Sequence, residues 1–509
     1  MGVIKTFNAK WSDHVTYIKP NDNQMKSHFY KLLLAGTLLT SGNIYAQTAI
    51  QANRNVSKIT LVQAVEIALQ NNISVKQSQV QVQNNDLLLR QAKFNRLPSA
   101  SSNISESFSF GRSLNPFTNS YDSQNINYNN IGVNASVILF NGSLLKNNII
   151  QNDINLKASQ LDLQAMKESI SLQVVLAYLN ILSAEDQLSI AQSQTEITKL
   201  QIERTTKLVN AGSLPQSNVL DLKAQLANEE TTVVNNQTIL DLNKLTLIQL
   251  LNDRSITDVQ PERVSVPIPN SQSYDASIAQ IYDIAQLNQP VVKAADLRIL
   301  SAAKGVDIAR AGLLPVLSLN GSISANQSNA QKSTRVDGTK DNYLGDVVFQ
   351  GQTIPLVIKQ PNYVSGETIG YFDQLNNTQN KVFGLNLNIP IFSKFQNKTR
   401  IAQANLQKIN AEFEAQKTRL TLRQNIEQAY VNLTNAAKRF DALTVQVQAL
   451  EESFRAADSK FNAGAIDYVS YSLQKTNLDK AKANQVQAKY DFVFRTKILD
   501  YYQNKPLTF

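Results

Sequence analysis

The sequence predicts an α+β membrane protein built as an internal duplication. Four transmembrane β-strands per chain are expected to continue into long coiled-coil α-helices. Three observations predict this. First, an offset of 252 residues relates two halves: Gly132-Val-Asn134 recurs as Gly384-Leu-Asn386, Ala177-Tyr178 as Ala429-Tyr430, and Asn210-Ala211-Gly212 as Asn462-Ala463-Gly464. Second, four short segments alternate apolar with small polar residues. Third, long segments in both halves carry sustained apolar heptads. The offset is a whole number of heptads, so both copies keep one helical phase. Such a period is too long for a solenoid and implies two homologous halves about a pseudo-symmetry axis.

The halves are expected at 47–276 and 277–509, behind an upstream segment, 1–46. In that segment Lys26, His28 and Lys31 accompany the apolar run Leu32 to Leu39, and a polar stretch ends in Tyr45-Ala46-Gln47. This is the three-part layout of a secretory signal peptide, too short for a membrane helix, with cleavage expected after Ala46. Residues 1–24 read as an upstream extension, with Met25 as the natural start.

Composition excludes several classes of chemistry. The chain has no cysteine, 49 basic and 40 acidic side chains, and two histidines, His14 and His28, both ahead of the cleavage site. Thiol nucleophiles and histidine acid–base chemistry are therefore absent from the mature chain. No phosphate-binding glycine loop and no clustered metal ligands occur, so neither enzyme, cofactor nor metal is expected. No Lys/Arg-rich run suggests nucleic acid. Without disulfides, an exported chain must be stabilised by packing and assembly.

The strands are expected at Ser101 to Phe110, Ile131 to Leu139, Leu317 to Ala325 and Phe383 to Ile391. In the last, Phe383, Leu385, Leu387, Ile389 and Ile391 alternate with Gly384, Asn386, Asn388 and Pro390. Each strand has one apolar face and one face of Ser, Asn and Gly, over the length that crosses a bilayer as a tilted strand. A soluble sheet would expose more Lys, Glu and Thr. Four strands cannot close a barrel, and an open edge in hydrocarbon strands unpaired backbone groups. The chain must assemble. Two copies give eight strands and a filled interior; three give twelve and a pore, which favours a homotrimer.

The helices are long. Leu422, Ile426, Ala429, Leu433, Ala436, Phe440, Leu443, Val447, Leu450, Phe454, Ala457 and Phe461 step by four and three, as do Ile170, Val174, Ala177, Ile181, Ala184, Leu188 and Ala191. Such heptads specify coiled-coil packing. Pro98 and Pro315 end shorter helices before strands. Asn141 to Ser143, and Ser393, are expected caps. Gly212 and Gly464 turn the long helices into returning ones, making two equivalent hairpin tips. Asn252 to Ser273 reads as a linker. The strand connections 111–130 and 326–381 are long, as on the outer side of bacterial barrels, and the second is expected to hold short strands at Val347 to Phe349 and Thr353 to Ile358.

The mature chain resembles the TolC-like outer-membrane efflux family. The likeness is carried by Ile59-Thr60-Leu61 through Gln70-Asn71-Asn72, by Arg96-Leu97-Pro98-Ser99, by Leu139-Phe140-Asn141-Gly142, and by Ile389-Pro390-Ile391-Phe392. No single motif is decisive; their order and the duplication are specific. The resemblance implies a trimeric twelve-stranded barrel in outer-membrane lipid of a Gram-negative cell, continuing into a helical periplasmic tunnel. It further implies a passive conduit for efflux or type I secretion of small molecules or polypeptides, docked to a periplasmic adaptor and an inner-membrane transporter. Adaptor contact is expected at the tips, Leu208, Ala211, Gly212, Leu214, Pro215, Phe461, Ala463, Gly464 and Tyr468. Family members place aspartates beyond the second tip; here Ser470 and Leu473 occupy those positions, leaving Asp467 and Asp221 as candidates for an acidic entrance. The alternative is an exported coiled-coil filament or adhesin, which has no need of four lumen-patterned strands.

Overall fold

The computed structural model describes residues 56–114, 121–123, 125–264 and 274–505, and the expected signal peptide lies outside them. The first half runs β1 (Val56–Ile59), α1 (Leu61–Asn71), α2 (Ile73–Phe94), β2 (Ser99–Ser109), β3 (Arg112–Leu114), β4 (Tyr121–Ser123), β5 (Ile126–Phe140), α3 (Leu144–Asn210), α4 (Ser217–Leu251) and β6 (Asp258–Pro261). The second runs α5 (Ile278–Asn288), α6 (Pro290–Ala311), β7 (Val316–Ser328), β8 (Lys332–Phe349), β9 (Gln352–Thr368), α7 (Tyr371–Asn377), β10 (Asn380–Asn388), α8 (Gln396–Asn462) and α9 (Tyr468–Tyr502).

Duplication is visible helix by helix. Helices α1 and α5 have 11 residues each and open with the same capping box, Thr60 with Gln63 and Ser277 with Gln280. Helices α2 and α6 have 22 residues, α3 and α8 have 67, and α4 and α9 have 35. At ~1.5 Å per residue, α3 and α8 each extend about 100 Å. Leu61 and Ile278 are 217 apart, whereas Leu144 and Gln396 are 252 apart. The difference is 35 residues, and it falls in the outer connection of the second half, which holds β8, β9 and α7.

The four long strands form one antiparallel sheet in the order β10-β7-β5-β2, and among the described residues β10 and β2 are open edges. Register aligns the alternation across all four. One face has rows Phe383–Gly321–Ala135–Ala100 and Leu385–Leu319–Val137; the other has Ser322–Asn134–Ser101 and Gly384–Asn320–Ser136–Ser99. Across the polar face the Ser99 and Ser136 hydroxyls lie 3.0 Å apart. The last strand stops at Asn388, short of the expected Ile391, because Pro390 lacks the N–H a ladder requires. The expected short strands at 347–349 and 353–358 are parts of one much longer hairpin, β8–β9, and α7 follows it.

The core follows the duplication. Ile281, Ala285, Val292, Leu422, Ile426, Ala429, Leu433 and Leu499 form one buried cluster, and their repeat equivalents Ala64, Ala68, Val75, Ile170, Val174, Ala177, Ile181 and Leu247 lie in the other. The halves interlock through α6, which lies between α3 and α8. Arg298 pairs with Asp162 on α3, and Arg419 of α8 with Asp296 on α6. Four helices thus pack together on the strand side of the chain (α2, α3, α6, α8) and four towards the hairpin tips (α3, α4, α8, α9).

The linker also holds structure. Its residues Asp258–Pro261 form β6, which pairs in parallel with β1. The Tyr178 hydroxyl donates to the carbonyls of Glu262 (2.6 Å) and Ile59 (3.1 Å), fastening this ribbon to α3. Burial pushes its pKa up to about 12, so it stays a donor throughout the physiological range.

The expected caps act differently. Ser143 makes no side-chain cap and adopts φ 67°, and Phe395 holds the corresponding place with φ 61°. The Asn141 and Ser393 side chains instead accept from the backbone N–H groups of Leu145 and Asn397, each at 3.4 Å.

Candidate functional site: polar strand face and hairpin tips

The hairpin tips are built alike. The Gly212 N–H donates to Val209 O (2.9 Å) and Ser213 N–H to Leu208 O (2.9 Å); the Gly464 N–H donates to Phe461 O (3.0 Å) and Ala465 N–H to Lys460 O (2.9 Å). Both glycines have positive φ, 75° and 71°, and a Cβ on either would meet nothing within 4 Å. The glycine requirement here is conformational alone.

Of the expected tip residues, Leu208, Ala211, Gly212, Pro215, Ala463 and Gly464 are exposed, and Leu214 and Phe461 are half-buried. Tyr468 is placed differently: only 6% of it is exposed. It joins Tyr471 and Leu222 in a cluster that takes in Ile202, Phe454 and Phe461, joining the first hairpin to the second. Phe461 stacks on Tyr471 with centroids 4.8 Å apart. The aromatic side chain expected to face a partner therefore holds the two hairpins together.

Asp467 and Asp221 are both exposed. Asp467 caps α9, accepting from Ser470 N at 2.8 Å, and the hydrogen bonds from Ser470 hold its carboxyl below the usual aspartate range.

A buried charge cluster lies further from the tips, unanticipated by the heptad reading. Lys475 of α9 donates to Glu229 of α4 (2.7 Å) and to Thr198 of α3 (3.2 Å), and pairs with Asp479 at 3.5 Å. The Lys475 and Glu229 side chains are only 7% and 9% exposed. Gln225 donates to the same Glu229 Oε1 (3.0 Å), while Glu229 Oε2 is buried without a partner. Glu229 and Asp479 also line a cavity of about 360 Å³ between α3, α4 and α9. The sequence signal for this site is a lysine inside a buried stripe, Tyr468, Tyr471, Lys475, Leu478 and Ala481.

Burial pushes the Asp479 carboxyl up from 3.8 to about 6, against the opposing pull of Lys475. The folded chain therefore binds this proton more tightly than the unfolded chain. The stabilisation is complete below 3.8 and lost as pH rises through about 6. Asp479→Asn should flatten the dependence of the thermal midpoint on pH between 4 and 6 and stabilise the chain at pH 7 by at most about 3 kcal/mol. A slope unchanged from that of the parent chain would refute the assignment.

An open sheet of four strands, polar on one face and apolar on the other, joined to two long helical hairpins defines the class of protein to which the chain belongs. The outer membrane efflux protein family profile matches residues 64–253 and 281–494, so the chain is a member of that family. It is 23% identical over 342 residues to outer membrane protein TolC of Escherichia coli (strain K12), covering 65% of this chain and 60% of TolC. The same protein of Salmonella enteritidis is 22% identical over 349 residues, covering 66% of this chain and 61% of that one. The matched region thus spans about three fifths of these relatives. Among solved structures, the Campylobacter jejuni CmeC outer membrane channel superposes with a TM-score of 0.69 at 17% identity, over 88% of this chain and 87% of CmeC. VceC of Vibrio cholerae gives 0.68 at 15%, over 88% and 97%. These structures share the fold described above: a strand domain continuing into long helical hairpins.

Proposed function

We propose that the chain is the outer-membrane channel of a tripartite efflux or type I secretion system. It works as a homotrimer and passes small molecules or polypeptides outward from a periplasmic adaptor and an inner-membrane transporter. The observation that carries this reading is the register of the four strands. Ser and Asn predominate on one face of every strand and apolar residues on the other, with Gly321, Ser102 and Val382 as exceptions, and both edges are open among the described residues. Hydrocarbon tolerates no open edge, so the sheet is completed by copies of itself, with its polar face around water. Four helices per chain at each level then make a twelve-helix tunnel below a twelve-stranded barrel. Family membership and the TolC likeness support the same reading.

The protein acts as a conduit, with its energy supplied by the partners. The exposed tip residues, Leu208, Ala211, Gly212, Pro215, Ala463 and Gly464, are the surfaces offered to the adaptor. Asp221 and Asp467 are proposed to attract cations at the entrance; unchanged cation selectivity in Asp221→Asn with Asp467→Asn would remove that role. The channel itself is tested in planar bilayers with detergent-extracted protein. Discrete conductance steps are expected, and a protein that extracts without detergent and never conducts would return the filament or adhesin reading.

A further inference from the structure

The hairpin β8–β9 is unlike the rest of the fold. Among the described residues it is a separate two-stranded sheet, joined to no other strand. At ~3.3 Å per residue it reaches about 50 Å. It turns at Gln350-Gly351, both at positive φ (53° and 82°), the two-residue turn whose twist suits a hairpin. Its base is anchored: Gln374 of α7 is fully buried, accepts from Ser328 N (2.8 Å) and donates to Ile369 O (2.7 Å).

The pairing divides the hairpin into two zones. Near the base lie charges, among them Lys332, Arg335, Asp337, Lys340, Asp341 and Lys359. Towards the turn, the pairs Phe349–Gln352, Val347–Ile354, Gly345–Leu356 and Asn342–Ile358 share one face. That face presents Phe349, Val347, Ile354, Leu356 and Ile358, which are 46–63% exposed in a single chain. The opposite face is mixed: Val348, Pro355, Tyr343 and Val357 share it with Thr353, Asp346, Asp341 and Lys359, so it carries charges that the first face lacks in this zone. A lone two-stranded hairpin with an uncovered apolar face is marginal in water.

We propose that the three equivalent hairpins of the trimer cover one another, packing these apolar faces together as a crown over the outer mouth of the barrel. This rests on the trimeric barrel proposed above. Three observations select a second copy of the chain as the occupant. The hairpin is inserted between β7 and β10, and β10 is an open edge; in the proposed barrel that edge meets β2 of the next copy, so the hairpin rises at the seam between copies. A twelve-stranded barrel at ~4.8 Å spacing and ~40° tilt is about 25 Å across, so hairpins about 50 Å long reach past the axis. The apolar zone lies at the end farthest from the membrane and the charged zone next to it, the reverse of what lipid contact requires.

The cysteine-free chain permits a direct test. Val347→Cys and Ile354→Cys, on the apolar face, and Val348→Cys, on the other, are introduced singly into the full-length protein. Detergent-purified trimers, confirmed by mass, are treated with a short bis-maleimide. Residues 347 and 354 should give a covalent dimer, since three equivalent thiols leave one unpaired, with a yield at least about fivefold that of Val348→Cys. Intact trimers with no such excess would overturn the crown while leaving the channel reading in place. Failure to form trimers would overturn the assembly itself. A fluorophore on Ile354→Cys quenched by brominated lipid in bilayers would assign the face to lipid and equally overturn the proposal.

Discussion

Gly142→Val should cost the chain about 3 kcal/mol or more, lowering both its thermal midpoint and its folded yield. Gly142 sits where β5 passes into α3, with φ +62°. A Cβ there would lie 2.7 Å from Leu314 Cδ1, 2.8 Å from Leu314 Cβ and 3.2 Å from the Ala311 carbonyl oxygen. Valine would thus meet a backbone conformation that β-branched residues avoid and a neighbour whose own Cβ is too close to give way. Gly212→Ala is the control: it has the positive φ but nothing within 4 Å, so only about 1 kcal/mol should be lost. Equal midpoints for the two variants would show that the contact with Leu314 is unimportant.

Lys475→Met should be destabilising by about 3–5 kcal/mol, the range for removing one member of a buried pair. Methionine preserves the aliphatic stem but leaves Glu229 and Asp479 facing each other without a cation between them, with Glu229 Oε2 already unpartnered. The damage should fall where α9 meets α3 and α4, so proteolysis ought to begin in the hairpins. Adding Glu229→Gln and Asp479→Asn removes the stranded charges and should restore more than half the loss. A triple variant no better than Lys475→Met would mean that packing, and not charge, holds this junction.

Much of the fold was legible because the duplication and the hydrophobic period agree. The heptad positions Leu422 to Ala457 and Ile170 to Ala191 are buried or half-buried throughout, and the alternation in the four strands fixes their faces. What escaped lacks a periodic signal. The strand Asp258–Pro261 is four residues ending in proline, and only its pairing with Val56–Ile59 makes it a strand. The long hairpin shows a strand pattern only at its most apolar stretches, because its charged lower half resembles a loop. The Lys475 cluster escaped because apolarity was the criterion for the seam, and a lysine stem satisfies a buried stripe only when a carboxylate from another helix meets its end. The short distance of Tyr468 from Gly464 in sequence predicts an exposed tip residue, but its side chain turns back onto Leu222 and Tyr471. Asp467, next to a tip, is exposed and also caps its own helix, a second role that its position in the sequence does not reveal.

The central claim is that an open four-stranded sheet in each chain is closed by two further copies. Electron cryo-microscopy of the detergent-purified full-length protein, reconstructed without imposed symmetry, tests it most directly. Three chains around one axis, with β10 of each paired to β2 of the next in a twelve-stranded barrel above twelve helices, is the expected result. A monomer or dimer whose sheet closes on itself, or three chains joined only through their helices, would contradict it.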